Sequence, residues 1–246
     1  MVYLYDGTFE GLLTSVYYSY YTRPHAQKIY NINDYEPNFL DETKIIETDI
    51  TKFEKVYNAI INKIGQNSLN KIYLVYLSED YESANYIYRY LIMGFKVGDE
   101  INLHKNNDVV IYIDIMCKKV SNEKHRMKGF VRFKAIDNIL ISKINPTYNI
   151  LSLLANHFVN RLTCENFIIY DEKRNLALVY NKSSYYITDV DSRMSSFISL
   201  SDDTLYENLW SEYFKSVNIP ERKNTRAQKR MMPTRYWKNL VETQNL

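Results

Sequence analysis

The sequence predicts an α+β fold: a helical amino-terminal half, a small mixed or antiparallel sheet of about five strands with a packed helix, and a helical, basic carboxyl-terminal tail. Three observations predict it. Apolar residues recur at helical spacing in segment after segment up to about residue 128, the period then drops to two over residues 129–190, and cations crowd into residues 221–238. At 246 residues the chain is long enough for a sizeable core, and it shows neither an internal repeat nor a low-complexity linker. One compact unit is therefore expected, with 1–128 mainly helical, 129–190 carrying the sheet and 191–246 forming the basic tail.

Val2-Tyr3-Leu4-Tyr5 has the composition of a short strand and is closed by the turn dipeptide Asp6-Gly7. Thr8 then caps a helix in which Phe9, Leu12, Leu13, Val16, Tyr17 and Tyr20 share a face until Pro24 ends it. The polar segment 31–42 reads as a loop, and Lys44 to Glu47 as a second strand. Thr51 is the candidate cap of the next helix, whose stripe is Phe53, Val56, Tyr57, Ile60, Ile61 and Ile64, with Gly65 as its stop. Ile72 to Leu77 alternates ambiguously and is assigned to a helix, and Ser83 to Phe95 to another. Asn107-Asp108 opens a long helix with Val109, Tyr112, Ile113, Met116, Cys117 and Val120 on one face. Its basic end, Lys118, Lys119, Lys124, His125 and Arg126, complements the helix dipole.

From Gly129, Phe130, Arg132 and Lys134 alternate with Val131 and Phe133, and Asp137-Asn138 turns the chain into Ile139 to Ile144, which reads as a hairpin. Pro146 suits the first turn of the following helix, lined by Ile150, Leu151, Leu154, Phe158 and Leu162. Phe167 to Tyr170 and Leu176 to Tyr180 form a second hairpin around Asp171 to Asn175, and Tyr185 to Val190 supplies the fifth strand. A last helix opens at Asp203 or Thr204, runs through Leu205, Leu209, Trp210, Tyr213, Phe214 and Val217, and ends before Pro220.

Net charge is only +2, but it is unevenly spread. Residues 118–134 hold seven Lys and Arg against Glu123, residues 221–238 hold seven against Glu221, and the remainder carries −10. An acidic body thus bears two basic segments. The 24 Tyr supply aromatic surface suited to base stacking, although their even spread also fits a compositional bias. Two cysteines without a signal-peptide core point to a reducing, cytoplasmic setting. No apolar run approaches the roughly 18 residues of a membrane span.

His157 and Arg161 lie four apart on one side of the helix after Pro146, and the hairpin that follows carries Asp171 and Arg174 in its turn. Two readings stand. The four form a catalytic or phosphate-handling site in which Asp171 orients His157, or they form a polar lock between helix and sheet with Arg161 paired to Asp171. Cys117, Cys164, His25, His104, His125 and His157 match no zinc spacing, and there is no cysteine triplet for an iron–sulfur cluster. No phosphate-cradling glycine loop or serine nucleophile elbow occurs, so no cofactor is expected. The pairs Asp189/Asp191 and Asp202/Asp203 leave magnesium-dependent cleavage as a third, weaker idea. The tail mixes Arg222, Lys223, Asn224, Arg226, Lys229, Arg230, Arg235 and Lys238 with Tyr236 and Trp237. That is a composition suited to neutralising phosphates and stacking a base, and Arg126, Lys128 and Arg132 extend the surface. The alternative for the tail is that Met231, Met232, Tyr236, Trp237 and Leu240 pack on the body.

One set of landmarks runs nearly end to end: Tyr5-Asp6-Gly7-Thr8-Phe9-Glu10-Gly11-Leu12-Leu13, Glu123-Lys124-His125-Arg126-Met127-Lys128-Gly129-Phe130-Val131-Arg132-Phe133, and Leu154-Ala155-Asn156-His157-Phe158-Val159-Asn160-Arg161. It continues through Ile169-Tyr170-Asp171-Glu172-Lys173-Arg174, Arg222-Lys223-Asn224 and Met232-Pro233-Thr234-Arg235-Tyr236-Trp237-Lys238. In these the chain resembles a bacterial family of DNA metabolism and DNA repair proteins built around a domain of unknown function. Members of that family are associated with a radical-SAM protein that acts on DNA, and similar domains occur fused to uracil-DNA-glycosylase-like domains. The resemblance implies DNA and the radical-SAM protein as partners, with the radical chemistry left to that partner. The leading expectation is a DNA-binding or accessory protein, gripping DNA through Arg126, Lys128, Arg132 and the tail. The second is an enzyme acting on DNA or a modified base through His157, Arg161, Asp171 and Arg174, and the third is a protein-interaction subunit without DNA contact.

Overall fold

Val2–Tyr5 is the first strand, β1, and all four of its residues are buried. The computed structural model describes residues 1–39, 41–199, 209–210, 212–213, 216–217, 219, 221 and 224–240. Contacts within the chain divide it into two units, Met1–Ser121 and Asn122–Leu246.

In the first unit β1 is the centre of a parallel three-stranded sheet of order β2-β1-β3, with β2 at Lys28–Asn31 and β3 at Thr43–Ile45. The helix α1, Phe9–Tyr21, makes the crossover that a parallel pair requires. Thr8 caps it as its sequence implies, its hydroxyl accepting from Gly11 N at 2.9 Å. Asp6 fixes this turn by accepting from the Thr8 amide and hydroxyl and from the Thr48 hydroxyl at 2.9, 2.6 and 2.7 Å. Gly11 is needed there, because a Cβ would stand 2.2 Å from Asp6 Oδ1. Four helices follow: α2 Ile50–Lys63, α3 Gln66–Tyr76, α4 Ser83–Val97 and α5 Asp108–Phe130. The ambiguous segment at Ile72 is thus helical. The cap of α2 is Asp49 rather than Thr51, since the Asp49 carboxylate accepts from Lys52 N at 3.1 Å. The strand β2 has no counterpart among the expected elements. Its four residues carry no alternation, and it is specified by pairing with β1 and by Asn85 Oδ1, which accepts from Ile29 N at 2.7 Å.

The second unit contains the five expected strands in a mixed sheet of order β4-β5-β6-β7-β8. They are β4 Lys134–Ile136, β5 Ile139–Ile144, β6 Asn166–Asp171, β7 Leu176–Tyr180 and β8 Tyr185–Asp189. All neighbours are antiparallel except β5 and β6, which α6, Leu151–Arg161, connects in parallel. Asp137 and Asn138 turn the first hairpin with φ of +44° and +66°, the left-handed pair that a tight two-residue hairpin turn demands. One sheet face packs Phe167 on Phe158 of α6, with Phe133 and Tyr180 beside them at ring separations of 5.1 to 6.5 Å. On the other face Ile141, Ile168, Ala177 and Val190 are buried with Ile198 of α7, Ser192–Ser199, a helix not anticipated, whose first turn Asp191 caps through Met194 N at 2.7 Å. The tail forms α8, Thr225–Met231, and a 3-10 turn at Thr234–Asn239.

Two boundaries differ from expectation. The helix α5 continues through Gly129 to Phe130, and the strand begins only at Lys134. Gly129 is not among the glycines at positive φ, so the helix runs through it. Arg132 folds back to donate to the Gly129 carbonyl at 2.6 Å, covering the helix end. Pro146 lies outside α6, which begins at Leu151, and the amides of Thr147 and Tyr148 are bound by a carboxylate in the loop before it. Of the final expected helix, Asp203, Thr204, Leu205, Phe214 and Pro220 lie outside the described residues. Leu209, Trp210, Tyr213 and Val217 are helical and exposed. Among the described residues no helix is long and apolar enough to cross a membrane.

Candidate functional site

The stripe Val109, Ile113, Met116, Val120 on α5 continues at the same spacing to Glu123 and Met127, so the chain places a carboxylate where an apolar side chain belongs. Glu123 is only 1% exposed. It accepts from Thr147 N at 3.0 Å, Tyr148 N at 2.8 Å and the Tyr236 hydroxyl at 2.6 Å, with Arg235 Nη2 at 3.5 Å. In the sequence Glu123 is the lone acid of a basic run and the first residue of a landmark segment. Its position on the apolar stripe is the signal that could have revealed it.

The opposite edge of the same loop is held from the β6–β7 turn. Asp171, fully buried, pairs with Arg174 at 2.9 Å and accepts from the amides of Lys173 and Arg174 at 3.0 and 3.4 Å. Arg174 in turn donates to the carbonyls of Pro146 and Thr147 at 3.3 and 2.8 Å, and Lys173 Nζ to that of Thr147 at 3.0 Å. Residues 146–148 are thus clamped, their amides by Glu123 and their carbonyls by Arg174 and Lys173. Burial pushes the Asp171 carboxyl up from its ordinary range, against the pull of Arg174. The polar lock is present with Arg174, rather than Arg161, as the partner of Asp171.

His157 stands apart from this clamp. Its ring meets Phe158 edge to face at 4.9 Å, and its Nε2 is enclosed without a hydrogen-bond partner among the described residues. Burial, then the positive charges of Lys128 and Arg161, hold its pKa below the usual histidine value. Arg161 is the exposed last residue of α6. The structure therefore brings Asp171 and Arg174 together and gives His157 no carboxylate to orient it. A depressed histidine pKa favours the folded state above the unfolded value near 6.5, and this contribution is lost as pH falls through the folded pKa. The stability of the native chain is accordingly expected to fall more steeply from neutral to mildly acidic pH than that of His157→Leu. Parallel curves in pH-dependent denaturation would refute the assignment.

The tail divides into anchors and free cations. Tyr236 is buried on Glu123, which with burial raises its hydroxyl to about 12, so its ring offers no stacking surface. Arg235 lies 4.7 Å from the Tyr236 ring centroid, Trp237 Nε1 donates to Met232 O at 2.9 Å, and Lys238 pairs with Glu172 at 2.9 Å. Asn224 caps α8 through Ala227 N at 2.9 Å. Arg226, Lys229 and Arg230 are all exposed, lie at helical spacing on one face, and make no side-chain hydrogen bond or ion pair among the described residues. Arg126 and Lys128, half-buried at the end of α5, are likewise without such partners, whereas Arg132 is committed to the helix end. Arg222 and Lys223 lie outside the described residues. The second unit carries 19 Lys and Arg against 13 Asp and Glu, and the first 12 against 16, so the positive charge is concentrated in the second unit.

The profile of DUF4130, a domain of unknown function, matches residues 81–242. Comparisons with curated proteins and with solved structures give no match.

Proposed function

The chain belongs to the DUF4130 family, and from its landmark segments and the exposed cations of its tail we propose that it is a DNA-binding accessory protein of DNA repair or DNA metabolism, working beside a radical-SAM partner. It grips the phosphate backbone with Arg226, Lys229 and Arg230 of α8, supported by Arg126 and Lys128. The observation that carries this reading is the state of α8: no residue of the helix is buried, and its three cations share one exposed face with no acid on them among the described residues. Cations with structural work, Arg174, Arg235 and Lys238, are paired, so the free ones are those available to phosphates. An enzyme acting through His157, Arg161, Asp171 and Arg174 has less support, because Asp171 and Arg174 are consumed by each other and by the loop they hold.

Binding to duplex DNA is expected to weaken steeply with salt. The double reversal R226E/R230E removes two phosphate contacts, so the slope of log affinity against log salt should fall by about 2 and low-salt affinity by about tenfold or more. Anisotropy titration of a labelled duplex across a salt series measures both. No detectable binding of the native chain at low salt, or equal slopes for native and reversed chains, would overturn the proposal.

A further inference from the structure

The first unit carries a groove of about 120 Å³ between α1, α2 and α4. Its floor is aliphatic, from Val16, Val56 and Ala59, and its wall is aromatic. Tyr17 and Tyr21 lie 4.6 Å apart at 40°, Tyr20 stands 5.2 Å from Tyr21, and Phe95 is 6.3 Å from Tyr20. Tyr20 and Tyr21 are 51% and 68% exposed, so the wall is open to a ligand rather than packed away. The charged residues lining the groove are Lys55 and Lys63, both exposed, and none of the lining residues is acidic, although the unit as a whole is net negative. Eight residues apart on α2, the two ammonium groups bracket the groove along roughly 12 Å of helix. Lys55 Nζ lies 5.8 Å from the Tyr17 ring centroid.

We propose that this groove binds an unpaired nucleotide of single-stranded DNA, the base seated against Tyr17, Tyr20 and Tyr21 and the flanking phosphates on Lys55 and Lys63. The groove is open on one side, so a base can lie against the rings without being enclosed. Aromatic rings next to cations are the arrangement by which single strands are held, each base stacking on a ring while its phosphates are neutralised. An acidic peptide would satisfy the lysines but leave the open ring wall without a planar partner. The identity of the ligand rests on the DNA reading above, while the position of the site does not.

The test uses the full chain and a short oligo(dT) containing iododeoxyuridine, with an abasic strand of equal length as control. Photocrosslinking is expected to map to Tyr17, Tyr20 or Tyr21. Y21A and K63Q, both at exposed positions, should each weaken oligo(dT) binding about tenfold, leaving abasic-strand and duplex binding unchanged for Y21A. R226E/R230E should retain the crosslink while losing duplex affinity. A crosslink outside the groove, equal affinity for the abasic strand, or no strand binding overturns the proposal. If duplex binding still follows Arg226 and Arg230, only the groove falls, and if the groove crosslinks without any duplex binding, only the α8 reading falls. A Glu-rich peptide that shifts the same tyrosine signals when oligo(dT) does not would reassign the groove to a protein partner.

Discussion

Glu123→Ala is expected to lower the stability of the second unit by about 3 to 5 kcal/mol, the range for removing one member of a buried charged network. Three donors lose their acceptor at once: the Thr147 and Tyr148 amides and the Tyr236 hydroxyl. The acceptor and the hydroxyl are both buried, Glu123 being 1% and Tyr236 4% exposed, while Tyr148 is half-buried and Thr147 lies at the surface. Glu123→Gln keeps one carbonyl oxygen and should cost less, about 2 kcal/mol, because its amide nitrogen then faces a donor. Urea denaturation followed by tryptophan fluorescence isolates the effect, as both tryptophans, Trp210 and Trp237, belong to the second unit. A loss below about 1 kcal/mol for the alanine variant would mean that the loop is held without the carboxylate.

What the sequence made legible was local. Thr8 and its cap, Gly65 at a positive φ, and the Asp137-Asn138 turn each state their conformation within a few residues, and all three stand where their chemistry puts them. Apolar runs over residues 139–180 likewise revealed β5 to β7, whose sheet has α6 on one face and the cluster of Ile141, Ile168 and Ala177 on the other, whereas β8 is exposed along Tyr185–Asp189. The strand β2 was silent because a four-residue parallel partner is specified by β1 and Asn85, 56 residues away from Ile29 in sequence.

The site was legible in part for the same reason. Exposed cations on α8 follow from composition and helical spacing alone. The clamp does not: the pair Glu123–Tyr236 and the pair Asp171–Arg174 meet only at the loop 146–148, which Glu123 reaches across 24 residues and Arg174 across 28. Three of the landmark segments that run along the chain, around Glu123, Asp171 and Tyr236, thus have this loop as their shared structural object. Their distinctive side chains hold the second unit together, and the proposed DNA contact rests on Arg226, Lys229 and Arg230, which have no side-chain partner among the described residues.

Arg174→Ala should show a loss of similar size to Glu123→Ala, about 3 to 5 kcal/mol at neutral pH, but with a distinct pH signature. In the native chain Asp171 is fully buried and its guanidinium partner is 8% exposed, so removing Arg174 leaves a buried carboxylate with only two turn amides. Burial already raises the Asp171 pKa while Arg174 lowers it, and without the arginine the raise must grow. A carboxyl whose folded pKa exceeds its unfolded value stabilises the fold fully below the unfolded value, and that contribution is lost as pH rises through the folded pKa. The deficit of Arg174→Ala is therefore largest at neutral pH and shrinks as the medium is acidified and Asp171 takes up a proton. The pair D171N/R174M removes both charges while leaving an acceptor for the Lys173 and Arg174 amides, and should cost less than the sum of its single variants. Urea denaturation by tryptophan fluorescence at neutral and mildly acidic pH decides the matter. A deficit independent of pH, or strict additivity of the double variant, would show that Arg174 acts through the loop carbonyls of Pro146 and Thr147 alone.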